Sequence, residues 1–291
     1  MERKSQKPTT YRHKKNRSFS QNTLDDQTEW VYGFHATFAT LTNPNRIHRQ
    51  LFLTQKAKKT FQNWVATQDY KIQKKIPIPA ITDQEFLNKN LPSRAVHQGI
   101  AALVKVLPAT CLKDLIRQSK RVETAHVIIL DQVTDLQNIG AVLRSAQAFG
   151  AIAVVIQTRH APQNSGLLAK AACGAIEEVP IVKVPNLVRA ITNLKNAGFW
   201  VIGLDANVNR SFADITFDNK TALVLGSEGT GLRHLTAKTC DETVKITISN
   251  NSNCLNISNA AAIALYEITQ PRNQGNHGAK NVANSAKIKR P

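Results

Sequence analysis

The stretch His126-Val-Ile-Ile-Leu-Asp-Gln-Val-Thr-Asp-Leu-Gln-Asn-Ile-Gly-Ala-Val-Leu-Arg144 joins a strand pattern to a helix pattern. Val127 to Leu130 is a continuous apolar run, which is typical of a strand buried on both faces of a parallel sheet. Polar residues follow, and apolar and small residues then recur at helical spacing. The stretch therefore predicts a β-strand that leads through a polar loop into an α-helix.

The same alternation continues to residue 268. Strands are predicted at 126–131, 152–156, 180–184, 199–204, 221–226 and 243–248. Helices are predicted at 138–149, 164–173, 186–197, 231–238 and 256–268. Alternating strands and helices indicate an α/β fold with a mostly parallel sheet covered on both faces. Such sheets bind ligands beyond the carboxyl ends of their strands, so the loops at those ends are candidate sites.

A smaller α/β unit is predicted at residues 29–107. Its predicted elements are a strand at 49–54, a helix containing Phe61, Trp64 and Val65, a short helix at 83–91 and a strand ending the stretch 95–106. Ile76-Pro-Ile-Pro79 is predicted to be extended or an edge, because proline removes hydrogen-bond donors. A linker with a short amphipathic segment is predicted at 108–123, and the larger unit at 124–270.

The composition is strongly basic, with 38 Lys and Arg against 20 Asp and Glu, a formal net charge of +18. A protein this basic is expected to bind a polyanion, and nucleic acid is the commonest one. Residues 1–28 and 271–291 are basic, poor in aliphatic residues and predicted to be disordered. These tails either keep the protein soluble or add electrostatic affinity for phosphates.

The four cysteines, at 111, 173, 240 and 254, form no CxxC pair and no metal-ligand spacing. This spacing argues against a disulfide framework and a metal site, and it favours a reducing, cytoplasmic location. The sequence has no apolar run long enough to span a membrane, so no membrane association is expected.

The first candidate site is the loop and helix after residue 131. Asn138 is predicted to cap this helix. Arg144 lies further along the helix among small and apolar residues, where a guanidinium needs a partner. Two interpretations are open: a salt bridge with a nearby carboxylate, or a contact with a phosphate.

The second candidate is Gly226-Ser-Glu-Gly-Thr-Gly231, whose three glycines allow a ligand to approach the backbone closely. Its spacing is near that of a phosphate-binding P-loop, but Leu232 and Arg233 stand where Lys and Ser or Thr are required. Glu228 would repel a phosphate. An ATPase is therefore disfavoured, and the absence of GxGxxG leaves a nicotinamide cofactor unsupported.

The third candidate is Ser249-Asn-Asn-Ser-Asn-Cys-Leu-Asn-Ile-Ser-Asn259, followed by a helix of small residues. The amides and hydroxyls are consistent with a solvated loop and a good helix cap. Leu255 and Ile257, however, favour burial.

Together, these three segments resemble, in order, the three signature motifs of the SpoU family within the SPOUT class of RNA 2′-O-ribose methyltransferases. Ala171-Ala-Cys-Gly-Ala-Ile-Glu-Glu-Val-Pro180 also looks like the family. In the smaller unit, Tyr32-Gly-Phe-His-Ala36 and Ala95-Val-His-Gln-Gly-Ile-Ala101 resemble the L30e-like substrate-binding domain of the large-subunit (23S) rRNA guanosine 2′-O-methyltransferases.

The resemblance implies a C-terminal trefoil knot, a homodimer, an RNA substrate and S-adenosyl-L-methionine as the methyl donor. It assigns catalytic roles to Arg144, Asn138, Glu228 and Asn256. It assigns cofactor binding to Gly226, Ile246, Leu255 and Cys254. No metal is implied.

Two positions depart from the family pattern. Cys254 stands where the family usually has serine, and Thr247-Ile-Ser-Asn250 replaces a frequent Pro-Met-x-Gly. Two alternatives stay open beside the rRNA enzyme: a tRNA ribose methyltransferase, and a non-catalytic RNA-binding ribosome-assembly factor with the same fold. The four predicted catalytic residues, all present, disfavour the second alternative.

Overall fold

The computed structural model describes residues 28–161, 165–249 and 255–270. Apart from Thr28, the predicted basic tails lie outside the described residues. Cys254 and Asn250 lie outside them as well.

The N-terminal unit is built on a four-stranded sheet. Its strands are β1 (Thr28–Tyr32), β2 (His48–Thr54), β3 (Ala80–Thr82) and β4 (Ile100–Lys105), in the order β1-β4-β2-β3. Its helices are α1 (Phe34–Thr42), α2 (Gln55–Ala66), α3 (Tyr70–Gln73) and α4 (Gln84–Asn90). β4 is antiparallel to β1 and β2, whereas the edge strand β3 is parallel to β2. Residues 76–79 form no strand, and β3 begins only after Pro79, where backbone donors become available.

The C-terminal unit is built on six parallel strands. They are β5 (Ala125–Asp131), β6 (Ala153–Gln157), β7 (Ile181–Val184), β8 (Trp200–Leu204), β9 (Lys220–Gly226) and β10 (Glu242–Val244), in the order β10-β8-β9-β5-β6-β7. The helices are α5 (Leu112–Ser119), α6 (Leu136–Ala148), α7 (Ser165–Ala171), α8 (Leu187–Asn196), α9 (His234–Thr239) and α10 (Ile257–Thr269). The prediction of an α/β fold with a parallel sheet is confirmed.

Helices cover both faces of this sheet. One core joins β5 residues such as Ile128 to α6, α7 and α10, and the other joins residues such as Ile129 to α5, α8 and α9. Every residue of β5 is buried, which explains the unbroken apolar run that marks it in the sequence. Leu115 of α5, within the predicted linker, belongs to the second core and is fully buried.

Two predicted bounds differ from the structure by three residues or more. β10 ends at Val244, not at residue 248, because the chain then pairs with the segment after β8: Lys245 donates to the Arg210 carbonyl at 2.9 Å. α9 begins at His234, not at residue 231, because Gly231 has a φ of +66°, which an α-helix cannot include.

The two units are joined by a buried polar cluster. The Glu177 carboxylate of the C-terminal unit accepts hydrogen bonds from Arg46 (Nη2, 2.9 Å), Thr40 (Oγ1, 2.9 Å) and Asn43 (Nδ2, 2.8 Å). Arg46 also pairs with Glu29 at 2.7 Å, and the side chains of Arg46 and Glu177 are each 2% exposed. This cluster fixes the N-terminal unit against the larger one.

Candidate active site

Two of the three candidate segments, those after residues 131 and 226, leave neighbouring strands at the carboxyl ends of the sheet, beside the segment that follows β8. Asp131 at the end of β5 pairs with Gly226 at the end of β9, and Leu204 at the end of β8 pairs with Leu225. Because the strands are parallel, the loops after 131, 204 and 226 start side by side.

Asn138, Glu228 and Asn256 come together in a hydrogen-bonded triangle. Glu228 Oε1 accepts from Asn138 Nδ2 at 3.0 Å and from Asn256 Nδ2 at 2.7 Å. Asn256 Nδ2 also lies 3.1 Å from Asn138 Oδ1. One residue from each of the three segments thus meets at a single point, over sequence separations of 28 to 118 residues.

The prediction that Asn138 caps its helix is wrong. α6 begins two residues earlier, and Asp135 is its N-cap, accepting from the backbone N–H groups of Gln137 (3.3 Å) and Asn138 (3.1 Å). Asp135 therefore takes the capping role, which leaves the Asn138 side chain to contact Glu228. Asn256 does cap α10, through Oδ1 and the Ser258 N–H at 2.9 Å.

The glycine-rich segment forms a tight turn. Gly231 N–H donates to the Ser227 carbonyl at 2.9 Å, and Gly229 and Gly231 adopt φ values of +89° and +66°. A Cβ on Gly226 would collide with the backbone of Gly231 and Leu232. Glycine is needed at 226 because the turn folds back directly over it.

A cavity of about 500 Å³ lies beside the triangle. Its lining includes three residues predicted to bind the cofactor, Gly226, Ile246 and Leu255, together with Glu228 and Asn256. Cys254, the fourth predicted cofactor residue, lies outside the described residues. A cavity of this size, with apolar walls and a few polar groups, is typical of a small-molecule site.

Sequence reasoning missed two features of this site. The segment 204–207 after β8 lines the cavity, although no glycine or motif marks it in the sequence. Asp131 and Arg233 form an ion pair under the glycine turn at 2.7 Å. The available signal was a carboxylate ending a fully buried strand, because a buried charge requires a partner.

Arg144 makes no hydrogen bond to the triangle. Its side chain is exposed on α6, and its guanidinium forms neither an ion pair nor a hydrogen bond with any residue that the structure describes. The sequence left two interpretations open for Arg144, a salt bridge or a phosphate contact. No salt bridge with a carboxylate is observed among the described residues. A free guanidinium on the helix that carries Asn138 can bind an anionic ligand.

The described ranges contain neither a membrane-spanning helix nor a cluster of possible metal ligands. None of their helices is long and apolar enough to cross a bilayer. They also contain no group of three or more His, Cys, Asp or Glu placed to hold a metal ion.

Sequence comparisons place residues 125–266 in the SpoU rRNA methylase family. A Staphylococcus epidermidis protein named as a TrmH family tRNA/rRNA methyltransferase is 38% identical over 183 residues, covering 62% of this chain and 74% of that protein. An uncharacterized tRNA/rRNA methyltransferase of Synechocystis sp. is 36% identical over 245 residues, 83% of this chain; the match spans only 62% of that protein's length.

Solved structures share the fold. The SpoU methyltransferase AviRb of Streptomyces viridochromogenes, crystallised with AdoMet, superposes with a TM-score of 0.65 at 23% identity, over 84% of this chain and 90% of that one. An AdoMet-bound rRNA methyltransferase of Sinorhizobium meliloti gives a TM-score of 0.66 at 18% identity, over 83% and 87% of the two chains.

Proposed function

This chain belongs to the SpoU (TrmH-like) family of RNA methyltransferases, and on that premise we propose that it methylates a ribose 2′-hydroxyl of RNA from S-adenosyl-L-methionine. The observation that carries the proposal is the Asn138–Glu228–Asn256 triangle beside the 500 Å³ cavity. In this proposal the cavity holds the donor and the triangle holds the acceptor, so that the two are adjacent, as a direct group transfer requires.

The residues around the cavity suit the donor. Ile246 and Leu255 offer apolar walls for an adenine ring. Their backbone groups form no backbone hydrogen bond within the described residues, so they can bind its polar edge. Gly226 keeps the turn close to the cavity, because any side chain there would displace it. Cys254 is proposed to complete this set. When bound, the donor supplies a methyl group activated by its sulfonium charge.

On the acceptor side, the enzyme must orient the ribose and accept the hydroxyl proton. Glu228 holds the amides of Asn138 and Asn256 through Oε1, and Oε2 has no partner among the described residues. We assign the two amides to orientation of the ribose, and Oε2 to acceptance of the hydroxyl proton, which then passes to water. Arg144 is assigned to clamp an adjacent phosphate, because a guanidinium stays protonated and binds phosphate with its planar fork.

We propose a guanosine of large-subunit (23S) rRNA as the substrate. The support is the resemblance of the N-terminal unit to an L30e-like substrate-binding domain, together with the net charge of +18. The same resemblance extends the proposal to a C-terminal trefoil knot, a homodimer and a cytoplasmic enzyme. The names of the relatives cover both tRNA and rRNA, so a tRNA ribose is the second candidate.

The test is a map of 2′-O-methylation across rRNA and tRNA in cells with and without the gene. Loss of methylation at one guanosine of large-subunit rRNA is expected, with restoration by the wild-type gene. Loss at a tRNA ribose would establish the second candidate instead. If no ribose changes, and purified protein transfers no labelled methyl group to RNA from the deletion strain, the proposed activity is wrong.

A further inference from the structure

Asp205, the first residue after β8, lines the cavity, and hydrogen bonds hold its carboxylate in one orientation. Its backbone N–H donates to the Val244 carbonyl at 3.0 Å. Its Oδ1 accepts from the backbone N–H of Asn207 at 2.9 Å and from Asn207 Nδ2 at 3.1 Å. Both bonds use Oδ1, and Asp205 forms no ion pair with any residue in the described ranges. Oδ2 is therefore free to face a ligand.

The cavity is acidic in a basic protein. Asp205 and Glu228 are the charged residues among its described lining residues, which include no Lys, Arg or His. The chain as a whole has 38 Lys and Arg against 20 Asp and Glu. The cavity lining is therefore acidic although the chain as a whole is basic, and an acidic lining favours a cationic ligand.

Methyl transfer changes the net charge of the donor. S-adenosylmethionine carries a sulfonium, an ammonium and a carboxylate, for a net charge of +1 at neutral pH. S-adenosylhomocysteine, its product, has a neutral thioether in place of the sulfonium and a net charge of zero. A nearby carboxylate stabilises the charged ligand by the Coulomb interaction, which water screens only partly in a half-enclosed site.

We propose that Asp205 makes the cavity prefer the cationic donor over the neutral product. This inference rests on the proposed function. Glu228 has the same charge, but its Oε1 is occupied by two amides at the acceptor site. Asp205 lies on a different loop, fixed by Asn207, and acts on the donor alone. The preference helps product to leave, because losing the sulfonium charge removes an attraction.

The test measures binding of three ligands to the full chain by titration calorimetry: S-adenosylmethionine, S-adenosylhomocysteine and sinefungin, which carries an amine in place of the methylsulfonium group. For Asp205→Asn, we expect the first and third to bind about tenfold more weakly, corresponding to a charge about 6 Å away at an effective dielectric constant of about 40. Binding of S-adenosylhomocysteine should change less than about twofold. Asp214→Asn, an exposed acid outside the cavity lining, should change none of the three.

Equal weakening of all three ligands would overturn the proposal, because Asp205 would then bind a part they share. No weakening would overturn it as well. A second measurement does not depend on the variant's folding: in the wild type, the preference for sinefungin over S-adenosylhomocysteine should shrink as salt rises from 50 mM to about 0.5 M. A preference that is absent or independent of salt would contradict the inference. If the wild type binds none of the ligands, the proposed function itself has failed.

Discussion

Asp131 and Arg233 are joined by two hydrogen bonds and an ion pair at the base of the glycine turn. Asp131 Oδ1 accepts from Arg233 Nε at 2.8 Å and lies 2.7 Å from Nη2, and Oδ2 accepts from the Arg233 backbone N–H at 3.1 Å. The Asp131 side chain is fully buried. The pair therefore ties the end of β5 to the N-cap residue of α9, which holds the glycine turn in place.

Replacing Asp131 by Asn should loosen this turn. The change leaves the Arg233 guanidinium without its counter-charge, and breaking a buried pair costs about 3 kcal/mol of folding free energy. We expect a lower melting temperature and weaker binding of S-adenosylmethionine, measured by calorimetry. Arg233→Lys should lower the melting temperature and the affinity for S-adenosylmethionine by smaller amounts. The lysine ammonium keeps the charge but cannot reproduce the planar, two-pronged contact of the guanidinium.

The matched control for this pair is Asp114→Asn on α5. Asp114 pairs with Arg117 at 2.7 Å, with the same chemistry, but the two side chains are 44% and 70% exposed. Exposed ion pairs contribute little. If Asp114→Asn and Asp131→Asn have equal effects on melting and binding, the anchoring role of Asp131 is wrong.

Arg144→Ala should abolish methyl transfer and leave binding of S-adenosylmethionine nearly unchanged. Donor binding should be spared because Arg144 does not line the cavity, and because its side chain supports no other described residue. Transfer of labelled methyl to RNA and donor binding are measured in parallel, with Arg189→Ala on the exposed face of α8 as the control. Equal loss of transfer and binding in Arg144→Ala would show a structural role instead.

Glu177→Gln should destabilise the contact between the two units. Its carboxylate is 2% exposed and neutralises the buried Arg46, so we expect a loss of about 3 kcal/mol and a lower melting temperature. Glu178→Gln, at the exposed neighbouring position, is the control. The rate of limited proteolysis between residues 105 and 112 gives a second readout. This rate should increase only in Glu177→Gln. Unchanged melting and proteolysis would mean that the apolar contacts alone hold the units together.

His126 should make the stability of the fold depend on pH. Burial lowers the pKa of this histidine, and its Nδ1 has no hydrogen-bond partner among the described residues. The unfolded chain binds a proton near pH 6.5, whereas the folded chain does so only at lower pH. This contribution to stability is therefore present above pH 6.5 and is lost as pH falls through the lower folded pKa.

His126→Gln should reduce the slope of unfolding free energy against pH below about pH 6.5, by at most about 1.4 kcal/mol per pH unit. Denaturant unfolding at several pH values measures the slope. The exposed His35→Gln is the control and should leave the slope in place. An unchanged slope in His126→Gln would show that other groups cause the acid dependence.

Particular residues show where sequence reasoning succeeded. The apolar run of β5 is visible because both faces of the strand are buried, so every position requires the same kind of residue. The segments containing Gly226, Glu228 and Asn256 were singled out because they follow predicted strands, and the family resemblance then assigned these three residues. The structure places all three on one cavity. Their assigned roles stay predictions.

Other residues could not be placed in this way. Asp135 and Asn138 are both good capping residues, and only the observed start of α6 at Leu136 decides between them. Asp205 stands in no motif, and it lines the cavity only because β8 lies beside β9. Glu177 and Arg46 are 131 residues apart, and neither residue's surroundings in the sequence point to the other.

The sequence by itself determined the alternation of strands and helices, the end of the sheet where ligands are expected to bind, and the resemblance to the family. These depend on the period of apolar residues and on short motifs, which are local properties of the chain. Only the tertiary structure decided that Asn138, Glu228 and Asn256 share hydrogen bonds, that Asp131 anchors the turn through Arg233, and that the cavity is acidic. The physical reason is that hydrogen bonds and charge interactions act over a few ångströms in space, and the order of strands in the sheet sets those distances.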